Sequence, residues 1–219
     1  MSEASPILID FAHTGMEVHM MAKPAVRYAL SFTSGGLLIR EASAVAPIYL
    51  REQDWDKVRG AIEEANLLQS RTRSAGVRLA REVVQRLSVL SAAEVELLVD
   101  ATPTERGHVM WAAACRRYAL IGEFAEEVLR ERFLTLAGNV TYEDYDAFYR
   151  AKAMWHDELD HVTDSSYKKL RQVLFRMMTE AALLNSKGRI EPALISARLT
   201  AYLHERTPSD IRFFPTRLA

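Results

Sequence analysis

The stretch from Thr163 to Ile195, TDSSYKKLRQVLFRMMTEAALLNSKGRIEPALI, decides the reading of the fold. Tyr167, Leu170, Leu174, Met177, Ala181 and Leu184 recur at alternating intervals of three and four, which draws one apolar stripe down a helix of about five turns. Thr163, Asp164 or Ser165 can cap its start by accepting a bond from a backbone N–H of the first turn. Lys168, Lys169 and Arg171 follow just inside that start, with Arg176 further along. After Leu184 the turn residues Asn185-Ser186-Lys187-Gly188 separate two short apolar pieces, and Pro192 keeps the second from continuing as a central strand. A capped helix with a basic start and then a basic-tipped hairpin is the order in which a winged helix-turn-helix ends. In that arrangement the helix start enters the major groove, while Lys187 and Arg189 reach phosphates beside it. The same pattern also fits an ordinary amphipathic helix that leads into a surface turn.

Working outward, the 219 residues suffice for one large or two small domains, and 49% hydrophobic with 26% charged residues is ordinary globular material. A net charge of −1 gives no overall attraction to nucleic acid, so any such binding depends on local patches. Cys115 is the single cysteine, which excludes an intramolecular disulfide and a multi-cysteine metal site and suits a reducing cytoplasm. The most apolar span, Val109 to Ile121, is interrupted by Arg116 and Arg117 and falls short of the roughly 20 residues that a membrane helix needs. No membrane partner is expected.

Residues 1–27 carry Pro6, Gly15 and Pro24 without helical periodicity and read as a loosely held extension. A helix follows through Leu37, Leu38, Ala42, Val45 and Ile48, with Pro47 expected to kink it or end it early. Asp54 can cap a helix over Trp55, Val58 and Ile62. Beyond a Leu67-Leu68 turn, Ala80, Val83, Val84 and Leu87 form an apolar face, with Arg71, Arg78, Arg81 and Arg86 on the opposite arc. This is a second helix-turn-helix order with a basic helix. Capping boxes at Ser91–Glu94 and Thr102–Glu105 start two more helices, and Thr141 with Asp144 starts another. Glu123, Glu126, Glu127 and Glu131 read as a solvated face. The fold class is all-α, mostly helical, with helix-turn-helix elements and one short β-hairpin wing.

Catalytic residues are not found. His156 and His161 stand five apart within an acidic cluster, whereas a helical metal-binding pair sits at i and i+4. No P-loop, dinucleotide fingerprint or nucleophile elbow occurs, and Cys115 reads as a core thiol. No catalysis, metal or cofactor is expected.

The stretches EEANLLQSRTRS, EDYDAFYRAKA and DSSYKKLRQVLFRMMTEAALL, with GRIEPALIS beyond a short turn, resemble the BrxA family, a component of the bacteriophage exclusion (BREX) defence systems. The resemblance runs from about Tyr28 to Tyr202. It implies a non-catalytic, almost all-helical protein that binds double-stranded DNA and works beside other BREX proteins. Carried over by position, Ser70, Arg71, Thr72, Arg73, Ser74 and Arg78 belong to the first helix-turn-helix. Ser165, Ser166, Lys168, Lys169 and Arg171 belong to the second, with Lys187 and Arg189 on its wing. Few Asn or Gln residues stand at either helix start, so mainly phosphate contacts with weak sequence preference are expected. The expected organisation is a helix-turn-helix region over residues 28–100 and a helical region over 101–219 that contains a winged segment at 142–195. Lys168, Lys169 and Arg171 are expected to be exposed and to outweigh Arg71, Arg73 and Arg78 in binding. The alternative is a helical adaptor that holds other BREX components together without touching DNA.

Overall fold

From Gly107 to Cys115 every residue of one helix is buried, and a helix apolar all round has to be enclosed by others. That helix is α5 (Pro103–Arg117). The computed structural model describes residues 27–33 and 35–218, so all of the expected extension at 1–27 except Arg27 lies outside the described residues. Before α5 in the chain come α1 (Ile39–Glu52), α2 (Trp55–Glu64), α3 (Arg73–Leu87) and α4 (Ala92–Asp100), of which α1, α3 and α4 pack against it. Beyond it the chain runs through α6 (Ala119–Phe124), a π-helical segment (Ala125–Arg130) and α7 (Glu131–Leu134). Then come α8 (Tyr142–Ala153), α9 (Asp157–Asp160), α10 (Asp164–Glu180), α11 (Ala197–His204) and a 3-10 turn at Asp210–Phe213. The class is all-α: extended pairing among the described residues is confined to the isolated bridges Leu184–Ile190 and Asn139–Arg189.

Local chemistry sets the helix starts. Capping boxes form at Ser91–Glu94, Thr102–Glu105 and Thr141–Asp144, and Pro103 takes the first position of α5, where its missing N–H costs nothing. Pro47 does not end α1, which continues to Glu52. Its ring is exposed while Ala42, Val45 and Ala46 are fully buried, so the interrupted bond lies toward solvent and the packed face carries the helix past it. The long apolar run breaks at Tyr118, between α5 and α6.

Tertiary closure is tightest around α5. Trp111 Nε1 donates to the Phe213 carbonyl at 2.8 Å, tying the C-terminal 3-10 turn to the centre. Gly107 passes the end of α10 so closely that an added Cβ would stand 3.2 Å from the Glu180 carbonyl oxygen. At the end of α5, Arg116 grips Glu94 through Nη1 (2.8 Å) and Nη2 (2.6 Å) and Asp210 through Nε (2.5 Å). All three side chains are nearly enclosed, at 9%, 2% and 5% exposure. Cys115, one residue before, is buried, and burial pushes its thiol well above the ordinary value.

Replacing Arg116 with Met takes from two buried carboxylates their shared and nearest countercharge, leaving Arg206 at 3.5 Å from Glu94 and Arg212 at 3.7 Å from Asp210. The expected cost is about 3–5 kcal/mol, read as a lower urea midpoint. Burial alone would raise the Glu94 pKa, but hydrogen bonds from Arg116 and the Ser91 backbone hold it below the ordinary 4.5. A carboxyl held down in the folded state stabilises above its unfolded pKa and loses that contribution as pH falls through the lower folded value. Wild-type stability should therefore drop below about pH 4.5, and R116M should show a weaker drop.

Candidate nucleic-acid interface

The first candidate element is α2, the link Ala65–Thr72 and α3. The reversal spans this whole link rather than Leu67-Leu68 alone, longer than the 3–4-residue turn usual between such helices. Asn66 and Gln69 take left-handed backbone angles within it, and the Asn66 side chain accepts from the Ser70 N–H at 3.1 Å. Thr72 caps α3 by accepting from the Ala75 N–H. Ser70 and Arg71 therefore stand ahead of the helix, Arg73 and Ser74 open it, and Arg78 lies a turn further in. Arg71, Thr72, Arg73, Ser74, Arg78 and Arg81 are exposed, whereas Ser70 is half-buried against Gly76. The first turn of α3 carries no acid, so its dipole and its arginines present one sign of charge.

Arg86 departs from the expected basic arc. It is fully buried, donates to Glu82 at 2.9 Å and to the Gly36 carbonyl at 2.5 Å, and neutralises the one acid of this region. A Cβ at Gly36 would overlap the Glu180 carboxylate at the end of α10, which would have to move away. That carboxylate also accepts from the Leu37 N–H at 2.6 Å. The two basic helices thus converge at their C-terminal ends. At 1.5 Å per residue their starts stand about 20 and about 24 Å along their axes from this junction.

The second element is α8, α9, α10 and the Asn185–Arg189 turn. Thr163 caps α10 by accepting from the Ser166 N–H, and the hydroxyls of Ser165 and Ser166 gather around the Thr163 oxygen at 3.2 and 3.0 Å. Lys168 and Lys169 are exposed. Beyond Leu184 the turn closes with the Asn185 N–H donating to the Arg189 carbonyl at 3.0 Å. The Asn185 side chain accepts from the N–H groups of Lys187 and Arg189, and the Val140 N–H joins from outside by donating to the Gly188 carbonyl. Lys187 and Arg189 project from this tip, both exposed.

Arg171 corrects the expectation that all the basic residues here are free. Its side chain is only 18% exposed, bonds Asp146 of α8 at 2.6 Å and lies over the Tyr142 ring at 4.3 Å. Tyr167 also donates to Asp146. Burial and this bond push the Tyr167 hydroxyl up to about 12. Arg171 braces α10 against α8, and Asp146, 25 positions away in sequence, was the unseen partner. His156 stacks on Tyr28 at 3.9 Å and His161 contacts the Asp157 carbonyl at 2.7 Å, so the two rings face different partners.

Charge partnering separates the basic residues into two groups. Arg51, Arg59, Arg116, Arg132, Lys152, Arg198 and Arg212 are among those held by carboxylates. Among the described residues Arg71, Arg73, Arg78, Lys168, Lys169, Lys187 and Arg189 form no such pair.

A family model described as BrxA matches residues 26–207. A Paramagnetospirillum magneticum protein named BREX protein BrxA is 26% identical over 188 residues, spanning 84% of this chain and 93% of that one. A protein of the same name from Escherichia coli O9:H4 (strain HS) is 22% identical over 155 residues, spanning 71% of this chain and 73% of that one. The crystal structure of an uncharacterized protein from Magnetospirillum magneticum has a TM-score of 0.72 at 22% identity, over 87% of this chain and 98% of that one. At that identity the likeness is one of fold.

Arg171→Gln should cost about 1.5–3 kcal/mol in urea unfolding, the range for hydrogen bonds to charged groups. The exposed pair change K168E/K169E should stay within about 0.5 kcal/mol of wild type. Equal losses would mean that Arg171 is no brace.

Proposed function

The chain belongs to the BrxA family, and on that premise we propose that it is a non-catalytic, double-stranded DNA-binding subunit of a BREX anti-phage defence system, working in the cytoplasm beside other BREX proteins. The observation that carries this reading is the set of exposed cations without carboxylate partners at the two helix starts and the hairpin tip. Other cations at the surface, Arg51, Arg132 and Arg198 among them, are held by carboxylates. Left unpaired, the helix-start and hairpin-tip side chains suit phosphate oxygens, and those at the starts of α3 and α10 also stand beside the positive ends of the helices. The two halves, 28–100 and 101–219, would then each carry one DNA-facing element, the second winged. Among the described residues no helix is long and apolar enough to cross a membrane.

The adaptor reading is favoured by a different feature. Met154 and Trp155 are 76% and 75% exposed at the end of α8, a contact surface suited to another BREX protein. It asks for basic helices covered by the rest of the chain, whereas Arg71, Arg78, Lys168, Lys169 and Arg189 are exposed. DNA binding therefore stands as the primary reading.

Titrating random-sequence duplex at several salt concentrations tests it. Seven cations on phosphates, at about 0.9 each, give a log–log slope of about −6 and binding that fades toward physiological salt. No binding at low salt would sink the DNA reading.

A further inference from the structure

A groove of about 580 Å³ runs beside α3, outside the residues assigned above to base or phosphate contact except Ser70 and Arg78. We propose that it is a phosphate-binding channel that holds the backbone of the DNA strand passing the start of α3, with Arg81 and Arg117 as its principal contacts. The inference rests on the duplex-binding reading and extends its contact set to a helix, α5, that the helix-turn-helix pattern does not include.

Its wall on α3 is formed by Ala75, Arg78, Leu79, Glu82 and Gln85, a face spaced by threes and fours, with Arg81 at its edge. The ten steps from Ala75 to Gln85 rise about 15 Å, long enough to follow more than one phosphate at about 3.4 Å per nucleotide along the duplex axis. The opposite wall brings Ser31 and Thr33 from the N-terminal arm and Arg117 from the end of α5. The one acid in the lining is already engaged: Glu82 accepts from Arg86 at 2.9 Å and from the Tyr118 hydroxyl at 2.5 Å. Arg86 cancels its charge, leaving the guanidinium groups of Arg78, Arg81 and Arg117 to set the sign of the groove.

Adjacent arginines have opposite fates. Arg116 turns inward and gives its donors to Glu94 and Asp210, whereas among the described residues Arg117 bonds the neutral Gln85 side chain alone, at 3.1 Å, and lies 5.0 Å from the Tyr118 ring centre. A guanidinium laid on a ring and steadied by an amide is oriented but not neutralised, which is the state that favours bidentate contact with a phosphate. Ser31, Thr33 and Ser70 add hydroxyl donors of the kind that meet backbone oxygens. Continuity selects the strand over a free nucleotide. Ser70 lines this groove and also belongs to the link that carries Arg71 and Arg73, so phosphates entering at the helix start lead on into it.

The test compares the full-length wild type with Arg81→Gln and with R81Q/R117Q, binding random-sequence duplex across a range of salt. The two added contacts steepen the expected wild-type slope from about −6 to about −8, and it is shallower by about 0.9 for the single change and by about 1.8 for the double. Arg81 is exposed and makes no described side-chain contact, so the single variant reports even if loss of Arg117 perturbs folding. R117K, which keeps the charge, should hold the wild-type slope. Wild-type binding with slopes unchanged in the variants overturns the groove and leaves the duplex reading intact; wild type that fails to bind at low salt overturns both. Calorimetric titration with ATP supplies the other arm. Saturable ATP binding that R81Q/R117Q abolishes, together with an unchanged DNA slope, would assign the groove to free nucleotide and overturn the proposal.

Discussion

Enclosure of α5 on all sides is the constraint on which the remaining structure depends. A helix with Val109, Met110, Trp111 and three consecutive alanines all buried exposes a large apolar surface unless neighbours close over every face. The helices before it supply some of those neighbours, and the end of α10 and the C-terminal 3-10 turn supply others. Gly107 lets the α10 end approach, and Trp111 fastens the C-terminal turn. Because α3 and α10 both lead their C-terminal ends toward Gly36 and Leu37, that enclosure also sets where their basic starts stand.

Features legible in the sequence were those whose cause lies within a few residues. The capping boxes at Ser91, Thr102 and Thr141 need only a partner three positions on, and all form. The apolar stripe of α10 and the Asn185–Gly188 turn are equally local, and both stand, although the helix stops at Glu180, four residues short of Leu184. Errors came where a distant partner decides. Arg86 looked like part of a basic face because Gly36, 50 positions earlier, was not in view, and Arg171 looked free because Asp146 was not. Of the two outcomes expected at Pro47, a kink or an early end, the early end does not occur, because the buried face that carries α1 past it forms against other helices. Arg81 was visible on its helix, but Arg117 gave no signal; the end of α5 reaches α3 only through tertiary packing.

Partnering together with a place at a helix start or hairpin tip, more than net charge, distinguishes the DNA-facing candidates. The chain as a whole is close to neutral, yet among the described residues carboxylates hold one set of cations and leave the helix-start and hairpin-tip cations without a pair. The first set builds the fold, through Arg116, Arg86 and Arg171. The second leaves helix starts and a hairpin tip with positive charge unspent, which is the electrostatic footprint expected of a surface that meets a polyanion.

Lysine acetylation with and without a saturating random-sequence duplex at low salt, read residue by residue by mass spectrometry, tests that division most directly. Lys168, Lys169 and Lys187 should lose reactivity when DNA is bound, while Lys152, paired with Glu123 and Glu127, keeps the reactivity it has without DNA. Protection of Lys152 to the same degree, or no protection of Lys168, Lys169 and Lys187 under conditions where DNA is bound, would contradict the account.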